Sequence, residues 1–119
     1  MATILVVDDH ETIREIIIDF LGETGHTMIQ AINGKQAQQK IKKAKPPIDL
    51  VITDFRMPEM NGIELILWIK KEHPEIPVIL MSSDDLDKVS PADIFVKKPD
   101  GFNDFAAVCN QLLKKNKKA

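Results

Sequence analysis

Ile4-Leu5-Val6-Val7-Asp8-Asp9 decides the fold. Four aliphatic residues without a polar interruption suit a short strand buried on both faces, as in a parallel sheet covered by helices. Two carboxylates follow at the strand's carboxyl end. Outward from there the period changes. Ile13, Ile16, Ile17, Phe20 and Leu21 recur at helical spacing, and Gly25 reads as the stop of that helix. Thr27 to Ala31 is a second, weaker strand. Asn33-Gly34 opens a Lys- and Gln-rich helix with Ala37, Ile41 and Ala44 facing inward, and Pro46-Pro47 ends it. Ile48 to Thr53 is a third strand. Gly62 leads into a third helix, with Ile63, Ile66, Leu67 and Lys70 at its spacing. Val78 to Met81 and Ile94 to Lys97 are strands four and five. A last helix carries Phe102, Phe105, Ala106, Cys109, Leu112 and Leu113. Strand and helix alternate throughout, which predicts an α/β fold with helices on both faces of a parallel sheet.

The 119 residues make one domain, 44% hydrophobic and 29% charged, a composition that excludes disorder. The net charge of −2 hides an asymmetry, because Lys114, Lys115, Lys117 and Lys118 crowd the last six residues. Without them the body holds 12 basic and 18 acidic groups, which disfavours a nucleic-acid face there. The expected division is a domain over 1–113 and a Lys-rich flexible tail over 114–119. The single Cys109 allows no internal disulfide. With no apolar run near the roughly 20 residues of a membrane span and no signal-peptide pattern, the expectation is a cytoplasmic protein without membrane contact.

Ligands of open α/β sheets gather at the carboxyl ends of the strands. Those ends are Asp8-Asp9, Asp54, Ser82 and Lys98. Three carboxylates on one edge repel each other, and a hard divalent cation relieves the conflict. Mg²⁺, or Mn²⁺ in its place, with a lysine and a hydroxyl nearby, suits phosphoryl transfer, and an Asp can be the nucleophile. Each residue alone has a plainer reading, as a helix cap, a turn or a surface charge. Together, at ordered strand ends, they read as a site.

Four pieces in order carry a family resemblance: Ile4 to Asp9, Asp54-Phe55-Arg56-Met57-Pro58-Glu59-Met60-Asn61-Gly62, Pro77 to Ser83, and Lys97-Lys98-Pro99. The chain resembles the receiver domain of two-component response regulators over nearly its whole length. The resemblance implies a doubly wound, CheY-like sheet of order 2-1-3-4-5. It implies that Asp54 is the phosphoacceptor, and that Lys98 and Ser82 contact the phosphoryl group. Asp8, Asp9, Asp54 and the Arg56 backbone carbonyl would hold Mg²⁺. Ser82 and Phe95 would be the switch pair. Arg56 and Asp84 would tune phosphoryl lifetime, Ser83 would leave the pocket open, and the Lys98-Pro99 bond would be cis. Implied partners are a sensor histidine kinase or phosphotransfer protein and a downstream protein target, with the domain a monomer or weak dimer.

The chain departs from the pattern between Ser82 and Lys98, an interval shorter than usual by roughly six residues, or more than one and a half helical turns. The fourth helix is therefore expected to be short or absent, and output to use another face. Three rival functions stand beside the receiver reading. A docking module could retain the acidic site without being phosphorylated. A Mg²⁺-dependent aspartyl-phosphate phosphatase would want a second acid two residues after its nucleophile, where Arg56 and His10 stand. A flavin module would want a Ser/Thr/Gly-rich phosphate loop in place of Asp8-Asp9. A receiver turns over no separate substrate, so no enzyme in the usual sense is expected.

Overall fold

A computed structural model of the chain describes residues 2–21, 25–83, 91–97 and 111–113. The elements run β1 (Thr3–Val7), α1 (Glu11–Leu21), β2 (Thr27–Ala31), α2 (Gly34–Lys43), β3 (Leu50–Asp54), α3 (Gly62–Glu72), β4 (Val78–Ser82) and β5 (Ile94–Lys97). Residues 111–113 are helical. The strands form one sheet of order β2-β1-β3-β4-β5, and every pairing is parallel. The doubly wound α/β architecture of the sequence reading is the one observed.

Strand side chains alternate between the two faces, so each strand feeds two layers. Ile4 and Val6, Leu50 and Ile52, and Ile79 and Met81 meet Ile17 and Leu21 of α1, together with Leu112 and Leu113. Their neighbours Leu5, Val7, Val51, Val78 and Leu80 meet Ala37 and Ile41 of α2 and Leu65, Ile66 and Ile69 of α3. β1, β3 and β4 are buried along their whole length. That explains why they carry continuous apolar runs instead of alternating ones. At the edge, β2 is half-exposed and alternates in character.

The apolar stripe of α1 holds, with Ile13 and Ile16 packed against the core beside Ile17 and Leu21, whereas α3 sits in a different phase from the one its spacing predicts. In α1 the fully buried positions are Arg14, Ile17 and Leu21, and Phe20, 41% exposed, is the one member of the expected stripe that turns outward. Arg14 takes an inward place because its guanidinium bonds to the Asp8 carbonyl (Nη1, 2.7 Å) and Gln30 Oε1 (Nε, 2.9 Å). In α3 the inward positions are Gly62, Leu65, Ile66 and Ile69, while Leu67 is 56% exposed. This helix is apolar nearly all round, so its periodicity allows two stripes. The close approach of Gly62 to β3 selects one of them: a Cβ on Gly62 would lie 2.2 Å from the Asp54 carbonyl oxygen. The third strand also starts later than expected, at Leu50 rather than Ile48, and includes Asp54.

The helix caps follow the sequence. The Asn33 side chain accepts from Gln36 N at 2.8 Å and opens α2. Asn61 and Glu64 exchange hydrogen bonds as a capping box and open α3. Between β4 and β5 only residues 83–93 are available. Asp93 closes that interval: its Oδ2 accepts from Val78 N and from Lys70 Nζ, both at 2.7 Å. Its own N–H returns a bond to the Val78 carbonyl at 3.0 Å. The expected short fourth helix, most of the last helix with Cys109, and the Lys-rich tail lie outside the described residues. Among the described residues, no helix is long and apolar enough to cross a membrane.

Candidate functional site

Strand register brings the site together. Val7 pairs with Ala31 on one side and Thr53 on the other, Asp54 with Met81, and Ser82 with Lys97. Asp8 and Asp54 therefore each follow, on neighbouring strands about 4.8 Å apart, one of a directly paired couple. Ser82 ends the next strand in line. Asp8, Asp54 and Ser82 are all buried, as the ends of interior strands must be.

Local bonding fixes these ends. Asp8 N donates to the Ala31 carbonyl at 3.1 Å, and Arg14 holds the Asp8 carbonyl from α1. Phe55 N, just beyond Asp54, donates to Asp54 Oδ1 at 2.9 Å and to the Met81 carbonyl at 3.0 Å. Gly62 N donates to the Phe55 carbonyl at 2.8 Å. The loop from Asp54 to α3 thus turns back onto its own start. Glu59 adopts a positive φ of 70° in that turn.

Above these ends lie two adjoining cavities. One, of about 340 Å³, is lined by His10, Ile13, Asp54, Arg56, Ser82 and Ser83. The other, of about 450 Å³, is lined by Asp9, His10, Phe55, Arg56, Met57, Pro58 and Asn61. His10 and Arg56 line both. The acceptor candidate Asp54 and the hydroxyl candidate Ser82 therefore share one cavity, and Asp9 opens on the other. Ser83 lines the first cavity as a small residue. Phe95 stands elsewhere, half-buried on β5 opposite Leu80, in the layer that faces α3. Lys98, its bond to Pro99, and Asp84 lie outside the described residues. Among those described, the cis peptide bond is Lys45-Pro46.

His10, placed by the sequence beside the acidic cluster but given no role in the site, is brought by the structure onto its carboxylates. Its Nδ1 is 3.1 Å from Asp9 Oδ1 and 3.4 Å from Asp8 Oδ1. Its backbone N–H donates to Asp8 Oδ1 at 2.9 Å. That is an Asx-turn, in which an Asp side chain takes the N–H two residues on. The signal was therefore present: an Asp two residues ahead, in the gap between a strand and a helix.

One ligand atom from each of Asp8, Asp9 and His10 lies within 4.8 Å of the others. With Asp54 in the adjoining cavity, the donors are mainly carboxylate oxygens, of which Asp9 and Asp54 line open volume while Asp8 is buried. That set suits a hard divalent cation, which takes oxygen ligands and keeps several waters. The buried carboxylates also give such an ion something to neutralise, since packed carboxylates repel.

A family model for the response regulator receiver domain matches residues 4–105. The chain belongs to the response regulator receiver domain family. Solved receivers share its form. The signal receiver domain of a histidine kinase from Syntrophus aciditrophicus superposes with a TM-score of 0.90 at 34% identity, covering 100% of this chain and 95% of the other. The response regulator TrrA of Thermotoga maritima, solved with Mg²⁺-BeF, gives 0.85 at 32% identity, covering 94% and 99%. Response regulator GtcR of Aneurinibacillus migulanus is 38% identical over 89% of this chain and 44% of that protein. The chain spans half or less of the length of the curated relatives it matches. As a receiver, it is a domain of two-component signalling.

Proposed function

We propose that Asp54 accepts a phosphoryl group from a phosphohistidine of a sensor kinase or phosphotransfer protein, or from a small acyl phosphate. The observation that carries this reading is the buried Asp54 carboxylate, seated in one cavity with Ser82, Ser83 and Arg56 and beside the Asp8-Asp9-His10 cluster. A carboxylate oxygen of Asp54 attacks phosphorus, the bond from phosphorus to the donor breaks, and the donor leaves with the electron pair and takes a proton. Asp54 is left as an acyl phosphate.

Asp8, Asp9, Asp54 and the Arg56 carbonyl would hold Mg²⁺ or Mn²⁺, which supplies charge neutralisation for the transferring group. Ser82 donates to a phosphoryl oxygen, and Lys98 pairs with another. Arg56 on the cavity wall and Asp84 set how readily water reaches the acyl phosphate. Phe95 and Ser82 couple the phosphorylated state to β5 and so to a downstream protein. The receiver unit runs over 1–113 with a tail over 114–119, turns over no separate substrate, and acts in the cytoplasm as a monomer or weak dimer.

Incubation with acetyl phosphate and Mg²⁺, read by intact mass, tests the reading. The expected result is a gain of one phosphoryl group that Asp54→Ala abolishes. No gain under any condition would make the chain a docking module with an unused site. A gain that survives Asp54→Ala would move the acceptor elsewhere.

A further inference from the structure

Residues 25–48 carry five lysines and no acidic residue, in a chain whose acidic groups outnumber its basic ones. The segment folds as β2, α2 and the loop into β3, at the edge of the sheet where β2 has a strand neighbour on one side only. Two of these lysines are engaged locally. Lys35 pairs with Glu59 at 3.6 Å, and the Lys42 ammonium stands 5.6 Å from the ring centre of Trp68.

Lys40 and Lys43 are placed differently. They sit one helical turn apart and flank a shallow groove of about 390 Å³, lined also by Ile29, Gln36, Gln39 and Ala44. The Lys40 ammonium donates to the Gln30 carbonyl, which anchors it at the rim. An ammonium has three donors, so two remain. Gln36 Oε1 accepts from Ile32 N, and the amide keeps its own donors. The groove thus combines an apolar floor, two amides and two cations.

We infer that this groove docks an acidic peptide segment of a partner protein, with one apolar side chain on Ile29 and Ala44 and flanking carboxylates on Lys40 and Lys43. Charge complementarity selects the occupant. Lys40 and Lys43 lie three residues apart on α2, about 4.5 Å along its axis, so the carboxylates of one short peptide can reach both. Among the described residues, the groove lining holds no aromatic ring on which a base would stack. The inference does not depend on phosphorylation of Asp54, which lies at the carboxyl ends of the interior strands.

The capped peptide Glu-Glu-Leu-Glu-Glu, titrated at low ionic strength, is the probe, read by amide chemical shifts on the full chain. Shifts are expected at Ile29, Gln36, Gln39, Lys40, Lys43 and Ala44. The double variant Lys40→Gln/Lys43→Gln should weaken binding about tenfold, the sum of two exposed ion pairs. Circular dichroism of the variant confirms an intact fold, and replacing the probe's Leu by Ser should weaken binding again. The proposal is overturned by shifts centred on the 114–118 lysines or by unchanged affinity in the double variant. Tighter binding of a single-stranded DNA of equal charge would also overturn it. So would the same shifts appearing with protein concentration alone, which would mark a second copy as the occupant.

Discussion

Gly62 does its work through an absent atom. A Cβ there would meet the Asp54 carbonyl oxygen at 2.2 Å, and that oxygen belongs to the backbone and has no side-chain freedom to retreat. Ala is intrinsically the better helix former by about 1 kcal/mol, so propensity alone would favour Gly62→Ala. Overpacking against backbone outweighs it, and the net expectation is a loss of about 1–3 kcal/mol. The displaced Asp54 should also accept phosphoryl groups more slowly from acetyl phosphate. Urea unfolding and the phosphorylation time course check both halves, and wild-type values in the two would refute the close contact. Arg14 teaches a complementary lesson. A buried guanidinium on a helix face reads from the sequence as a surface charge, because its warrant is a pair of acceptors outside the helix, the Asp8 carbonyl just past β1 and Gln30 on β2. No local pattern announces those partners. Asp8, Asp54 and Ser82 were legible because an interior strand must end somewhere, and the residue after an apolar run marks the place.

Among the elements, the crossover from β4 to β5 is the shortest of the four that join the strands. With only residues 83–93 to span it, the start of β5 needs an anchor, and Asp93 provides one to both β4 and α3. The Lys70–Asp93 ion pair is partly exposed, so solvent screening leaves it a small share. The bond from Val78 N to Asp93 is part-buried and carries the larger share. Asp93→Ala should lower stability by about 1–2 kcal/mol. The urea midpoint should fall with an unchanged slope, while the extent of Asp54 phosphorylation should hold. An unchanged midpoint would mean the crossover is secured elsewhere. Strands with continuous apolar runs were readable to within two residues, since burial on both faces leaves one composition. Helix phase was not readable in α3, where Leu65, Ile66, Leu67 and Ile69 are all apolar. Contact with β3, a tertiary event, chose among them.

Across the whole molecule, charge is segregated. The carboxyl ends of the strands gather Asp8, Asp9 and Asp54, while the opposite sign lies along α2 at the sheet edge. Family membership and strand order were legible from four short motifs. The basic edge was visible in the sequence only as a lysine-rich helix, because the groove beside it requires β2 to be in place. The acidic end has a consequence for stability. Two carboxylates about 5 Å apart at an effective dielectric constant of about 20 repel by roughly 3 kcal/mol, and solvent access at Asp9 reduces this. Asp8→Asn keeps the shape and an Oδ1 acceptor for His10 N–H, and removes one charge. In chelator the variant should therefore be more stable than wild type, by about 1–2 kcal/mol. Mg²⁺ should reverse the order. At a hundred times its dissociation constant, a ligand specific to the folded state adds about 2.7 kcal/mol. For a domain of this size that raises the melting temperature by roughly 10 °C. Wild type should show this rise and Asp8→Asn should lose most of it. Thermal melts of both proteins, with Mg²⁺ and with chelator, separate the two effects. A variant less stable in chelator that still gained from Mg²⁺ would place the cation away from Asp8 and would give that buried carboxylate a purely structural role.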